Sequence, residues 1–125
     1  MGTATKLILV GDKGTFEGVS IIPGVMIGLN ALSDGTAQLP QVSLENPGRV
    51  IAKNTVDCMK SGVIYGNASM IDGMIARSFE EYGSAIPVYA TGGLASTIVK
   101  YCRSEIILDE QLVLKGLNII YKKNA

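Results

Sequence analysis

A mixed α/β fold is what this sequence predicts, and three observations predict it. Short apolar runs of strand length end in Gly- and Thr-rich turns, long segments carry helical periodicity, and the order opens on a hairpin before helices and strands alternate. One mixed sheet flanked by helices is the expected arrangement. A single domain is expected too, because 125 residues bury roughly two-thirds of their unfolded surface and no repeat, low-complexity tract or linker divides them.

Lys6 to Gly11 is a continuous apolar run, Asp12-Lys13-Gly14-Thr15 is turn chemistry, and Phe16 to Ile22 reads as the second strand of a β-hairpin. Pro23-Gly24 stops that strand. Val25, Leu29 and Leu32 then recur at helical spacing, predicting a short helix that ends near Ser33-Asp34-Gly35, with Thr36 to Pro40 as a further helical turn. Gln41 to Pro47 is nearly patternless, Asn46-Pro47-Gly48 is a breaker, and Arg49 to Ala52 is a short element of either type, so the region is read as a connection.

The longest periodic segment starts at Asn54-Thr55, an N-cap candidate with Asp57 placed for the positive helix end, and runs to about Tyr82. Val56, Met59, Val63, Met70 and Met74 make one apolar column, and Ile64, Ala68, Ile71, Ile75 and Phe79 a second beside it, which predicts a broad buried face. Gly62, Gly66 and Gly73 lie in the same helix. They fit tight packing against a neighbouring helix of the same domain or, in the sharper reading, a subunit interface. Ile86 to Ala90 is a buried strand ending in Thr91-Gly92-Gly93, and a helix follows from Leu94 to about Tyr101. Glu105 to Leu108 is a further strand, Asp109 is a cap candidate, and Val113, Leu117, Ile120 and Tyr121 mark a last amphipathic helix before a basic tail.

Composition narrows the function. Lys plus Arg equals Asp plus Glu at 11 each, so no basic footprint for nucleic acid exists. No run approaches the roughly 18 apolar residues of a membrane span, and no signal-peptide pattern opens the chain, so a cytoplasmic protein without a membrane partner is expected. Cys58 and Cys102 are far apart and accompanied by no histidine, which argues against a zinc or thiol–histidine site; both are expected to be buried, reduced thiols.

Three polar-glycine clusters fall at ends of predicted elements: Gly2-Thr3-Ala4-Thr5, Lys53-Asn54-Thr55 and Thr91-Gly92-Gly93. Glycine lets a phosphate approach backbone N–H groups and threonine adds a hydroxyl donor, while strand ends and helix starts favour anions. Singly, the second reads as a helix cap and the third as a turn. Together the three point to a phosphate or nucleotide site. No acidic residue lies in any of them; Asp12, Asp34, Asp72 and Asp109 fall in turns, a helix or a cap, and no Walker lysine motif, GxSxG or HExxH is present. No metal-ligating set and no catalytic residue is therefore expected on this chain.

In order and spacing these motifs resemble the C-terminal half of type III pantothenate kinases, of the superfamily that joins acetate and sugar kinases, heat-shock ATPases and actin. The family's Asp-x-Gly-Thr-Ala-Thr motif stands here as Gly2-Thr3-Ala4-Thr5, and its hairpin ending as Ile22-Pro23-Gly24. Its Lys-x-Asn-Thr helix start stands as Lys53-Asn54-Thr55-Val56, followed by Ser61-Gly62 and Tyr65-Gly66. Its Thr-Gly-Gly stands as Thr91-Gly92-Gly93-Leu94-Ala95, and its closing motif as Asp109-Glu110-Gln111-Leu112-Val113-Leu114-Lys115-Gly116-Leu117. Lys6 stands where the family usually has threonine, and Val19 where it often has glycine.

The resemblance implies a ribonuclease H-like, actin-like lobe covering residues 1–125, with Gly2, Thr3, Gly92 and Gly93 on the ATP side of a cleft and Thr55 at pantothenate. It also implies ATP, Mg²⁺ and a monovalent cation, K⁺ or NH₄⁺, as cofactors. The aspartate that opens the family's phosphate motif, its Asp-x-Gly-Asn-Thr loop and its Gly-x-Asp-Arg base segment have no counterpart here. The expectation is a subunit of a split, heteromeric pantothenate kinase. A partner carrying the N-terminal-half motifs supplies the metal carboxylate and the base, and two copies of each chain assemble with Asn54 to Tyr82 near the interface. A non-catalytic regulatory relative that binds a ligand or a partner is the alternative, and a cloned fragment is a third.

Overall fold

The computed structural model describes residues 1–35 and 39–125. Strand β1, Ala4–Val10, pairs antiparallel with β2, Phe16–Pro23, with Ala4 opposite Pro23 and Ile8 opposite Val19. The tight turn between them closes with Gly14 N–H on the Gly11 carbonyl at 2.8 Å, and Gly14 takes φ +73°, a conformation that favours glycine. Helix α1, Val25–Asp34, starts at Gly24 and buries Val25 and Leu29, while Leu32 stays out of the core. Of the helical turn expected over Thr36 to Pro40, residues 36–38 lie outside the described residues.

The connection contains no helix or strand between residues 41 and 54. Glu45 holds it to the long helix through an ion pair with Lys60 at 2.9 Å, and the Ser61 hydroxyl donates to the Val50 carbonyl. Helix α2 spans Thr55–Tyr82, the expected bounds. Cap chemistry sets both ends. The Asn54 side chain accepts from Asp57 N–H at 2.9 Å, and left-handed Gly83 (φ +91°) donates to the Phe79 carbonyl. Met59, Val63, Ile64, Ala68, Ile71 and Ile75 of α2 form the core with Val25, Leu29 and Ile98. Val56, placed in the buried column by periodicity, is exposed.

Strands β3, Tyr89–Ala90, and β4, Ile107–Leu108, pair in parallel, and α3, Ala95–Val99, sits between them in sequence. All three are shorter than expected, and Tyr89 is exposed. Asp72 of α2 anchors the chain before β4 by accepting the N–H groups of Arg103 and Ser104 at 2.8 and 2.9 Å. Burial raises its carboxyl pKa, but those hydrogen bonds outweigh it and hold the group below the ordinary value. Helix α4, Leu112–Asn124, closes the chain with no buried residue.

The strands form two two-stranded sheets, β1-β2 and β3-β4. This corrects the expectation of one mixed sheet. The pieces are joined at Met1, whose ammonium donates to the Thr91 carbonyl at 2.7 Å, and among the described residues no strand bridges them.

The cysteines also depart from expectation. Cys58 is exposed on α2 and Cys102 is half-buried. Burial first, and then the Asp72 charge, push the Cys102 thiol up to about 11. Iodoacetamide at pH 8 is expected to alkylate Cys58 at least about tenfold faster than Cys102, since only the thiolate reacts; equal rates by peptide mass spectrometry would contradict this placement.

Candidate phosphate-binding site

Two of the three clusters meet. Gly2 and Thr3 are exposed and lead directly into β1, with the Thr3 carbonyl accepting Gly24 N–H at 3.1 Å. Met1 lies against the turn after β3: besides the Thr91 contact, its carbonyl accepts from Leu94 N–H at 3.5 Å. Gly92 adopts φ +110°, and a Cβ there would strike the backbone of Met1, so both conformation and space demand glycine. Gly93 is exposed, with nothing within 4 Å of the place a Cβ would take. Partial burial lowers the pKa of the Met1 ammonium. Gly2 and Thr3, which follow Met1, and Gly92 and Gly93 thus border one exposed junction between the two sheets; the Gly2 N–H is taken by the Ala4 carbonyl at 3.2 Å, and the exposed Thr3 carries a hydroxyl.

Thr5 behaves differently from Thr3. It is buried, and its Oγ1 has no hydrogen-bond partner. Strand alternation places Thr5 with Leu7 and Leu9 on the inward face, while Thr3, which precedes the strand, is exposed.

Thr55 stands apart. No hydrogen bond ties it to either of the other clusters among the described residues. The cap is Asn54, which pairs reciprocally with Asp57, its Nδ2 donating to Asp57 Oδ2 at 2.7 Å. Thr55 is the first residue of α2 and exposed. Val50 to Ala52, packed on the next turns of α2, border a cavity of about 390 Å³ that Cys58, Gly62 and Tyr65 also line. A second cavity of about 550 Å³, lined by Ile75 and Phe79 of α2 with Val88, Ser104 and Glu105, is mostly apolar and is bordered by none of the candidate residues.

Gly62, Gly66 and Gly73 are exposed with open space where a Cβ would stand. Among the described residues no helix meets the place where their Cβ atoms would stand. Among the described residues no three acidic, histidine or cysteine side chains gather where they would hold a metal.

A family model described as type III pantothenate kinase matches residues 1–77. A type III pantothenate kinase of Syntrophus aciditrophicus is 44% identical over 124 residues, covering 99% of this chain and 49% of that protein. One from Acholeplasma laidlawii is 45% identical over 124 residues, covering 99% of this chain and 50% of that protein. A solved structure from Campylobacter jejuni, described as a Baf family transcriptional activator, superposes with a TM-score of 0.67 at 25% identity, covering 98% of this chain and 55% of that one. The chain spans about half the length of the curated relatives it matches.

Proposed function

Since this chain belongs to the type III pantothenate kinase family, we propose that it is one subunit of a split, heteromeric pantothenate kinase, folded as a ribonuclease H-like lobe. The observation that supports a nucleotide site in this reading is the meeting of Gly2-Thr3 with Thr91-Gly92-Gly93 at Met1. The reaction is transfer of the ATP γ-phosphate to the primary hydroxyl of pantothenate in coenzyme A biosynthesis. Gly2, Thr3, Gly92 and Gly93 hold the nucleotide phosphates, for which exposed backbone N–H groups and a hydroxyl are suitable partners. Thr55 contacts pantothenate.

Phosphoryl transfer also needs metal-bound carboxylates and a group to receive the hydroxyl proton. Among the described residues no three acidic, histidine or cysteine side chains gather where they would hold Mg²⁺; the family resemblance assigns both cations and the catalytic base to the half of the kinase outside this chain. The exposed glycine stripe of α2 supports an assembly with two copies of each chain, because small residues let a second helix approach closely.

The chain is mixed with a polypeptide comprising the part of the Syntrophus aciditrophicus kinase that the match leaves uncovered, and pantothenate-dependent ADP release is followed with ATP, Mg²⁺ and K⁺. Activity from the mixture and none from the chain alone is the expected result. A stable but inactive complex would overturn the kinase assignment. It would favour the second reading, a regulatory relative that binds without catalysis, to which the Campylobacter jejuni description lends support.

Position Thr55 separates substrate contact from capping. Thr55→Ala is expected to raise KM for pantothenate while leaving stability within about 0.5 kcal/mol, as at exposed positions, whereas Asn54→Ala costs about 1 kcal/mol as a lost cap. Urea titrations beside initial-rate kinetics check both; an unchanged KM in Thr55→Ala removes Thr55 from the site.

A further inference from the structure

Helix α1 starts with its donors free. Gly24 N–H goes to the Thr3 carbonyl, and the first bond of the helix runs from Gly28 N–H to the Gly24 carbonyl at 3.0 Å, so the N–H groups of Val25, Met26 and Ile27 lie ahead of the helical ladder. None of the three has a partner among the described residues. Gly24 brings no capping side chain, and the first turn carries no acidic residue. This uncapped start adjoins the Gly2-Thr3 loop, because a Cβ on Gly24 would strike the carbonyls of both residues. Free N–H groups at the positive end of a 10-residue helix suit an anion.

A second feature at the same place points to a ligand. Thr5 is 2% exposed, and among the described residues its Oγ1 is the one buried side-chain polar atom without a hydrogen-bond partner. Thr5 stands opposite Ile22, three residues before Val25, and shares its sheet face with Leu7, which packs against the cluster that holds Val25 and Leu29. The hydroxyl therefore lies on the face that α1 covers, at the end where α1 begins. Valine has the shape of threonine without the polar atom, so an orphaned hydroxyl here lowers stability and adds nothing to packing. The Thr5 O–H and the three free N–H groups are all donors. What they lack in common is an acceptor.

We infer that the start of α1 binds a phosphate group, held by the N–H groups of Val25, Met26 and Ile27 and by the hydroxyl of Thr5. The inference rests on the kinase reading for the source of the phosphate, a nucleotide, and it adds helix donors to a loop whose Gly2 N–H is already taken by the Ala4 carbonyl. Thr5 is closed off in the free chain, so binding includes a shift of the exposed Gly2-Thr3 segment that opens the hydroxyl to the anion. The carboxylate of pantothenate shares the acceptor chemistry and is the competing source.

Titration of the ¹⁵N-labelled full chain with inorganic phosphate, ADP and pantothenate, each to millimolar concentration, separates the sources. Phosphate and ADP are expected to shift the amides of Val25, Met26 and Ile27 saturably, and pantothenate to leave them in place. Thr5→Val should raise the melting midpoint of the free chain, because it removes the orphan, and weaken ADP binding at least about tenfold, the size of a lost hydrogen bond to a charged group. Thr5→Ser keeps the hydroxyl and should hold ADP affinity within about threefold. Met26→Asp, at a 40% exposed position, puts a carboxylate on the positive helix end. It should weaken phosphate and ADP binding at least about tenfold with an unchanged or higher midpoint. Unmoved α1 amides in phosphate and ADP overturn the site, as do α1 amides moved by pantothenate alone, or undiminished ADP affinity in Thr5→Val or Met26→Asp. ADP release from the reconstituted mixture with unmoved α1 amides leaves the kinase reading standing without this site; moved α1 amides without ADP release do the reverse.

Discussion

Ile64→Ala is expected to destabilise the chain by about 3 to 4 kcal/mol, within the range of isoleucine truncations that leave a cavity. Ile64 is 1% exposed and sits in the cluster where α1, α2 and α3 meet through Val25, Met59 and Ile98. Domains are typically stable by only about 5 to 15 kcal/mol, and the buried core cluster is drawn from helices, with Leu7 of β1 and Val88 and Ile106 beside β3 and β4 packed against it as partly buried side chains. One truncation at its centre should therefore remove a large share of the stability. A urea titration reads the effect as a lower midpoint at similar slope. Val113→Ala, at a 62% exposed position of α4, is the control and should stay within about 0.5 kcal/mol. A loss below about 1 kcal/mol for Ile64→Ala would mean that α1 and α3 do not pack on α2 as described.

Gly92→Ala is the second large effect, and it bears on the site. The added methyl group meets the Met1 backbone from a residue held at φ +110°, so the strain of about 1 to 3 kcal/mol for such a conformation is joined by a steric conflict that only movement of Met1 relieves. The bond from the Met1 ammonium to Thr91 should break, the junction of the two sheets should open, and the reconstituted enzyme should bind ATP more weakly. Gly93→Ala meets nothing within 4 Å and should leave the junction intact. Chemical shifts of Met1 and Leu94 separate the two. Equal effects at Gly92 and Gly93 would count against the contact with Met1.

What the sequence revealed follows the range of the interactions involved. Helix α2 was legible because its ends are set locally, by Asn54 with Asp57 and by left-handed Gly83. The hairpin was legible because a short turn determines its register. The single mixed sheet was not: β1 and β3 are joined by one residue, and nothing local in Ile86 to Ala90 says which edges find partners. The site divides in the same way. Its glycines and threonines were visible as clusters, but the contact through Met1 that brings Gly2-Thr3 to Thr91-Gly92 spans some ninety positions. The exposure of Cys58 was hidden by the long apolar-periodic segment it belongs to, although it lies one position off the inward-facing Met59 and about 100° around the helix from it.

Helix α4 has a bearing on the life of the chain in a cell. Val113, Leu117, Ile120 and Tyr121 stand in solvent on a helix that buries nothing, the kind of apolar display that marks an orphan subunit for chaperone capture and proteolysis. On the split-kinase proposal, the amount of this chain that survives is governed by its partner's synthesis: unpartnered copies are cleared, and matched copies persist. Stoichiometry would be enforced by turnover after translation.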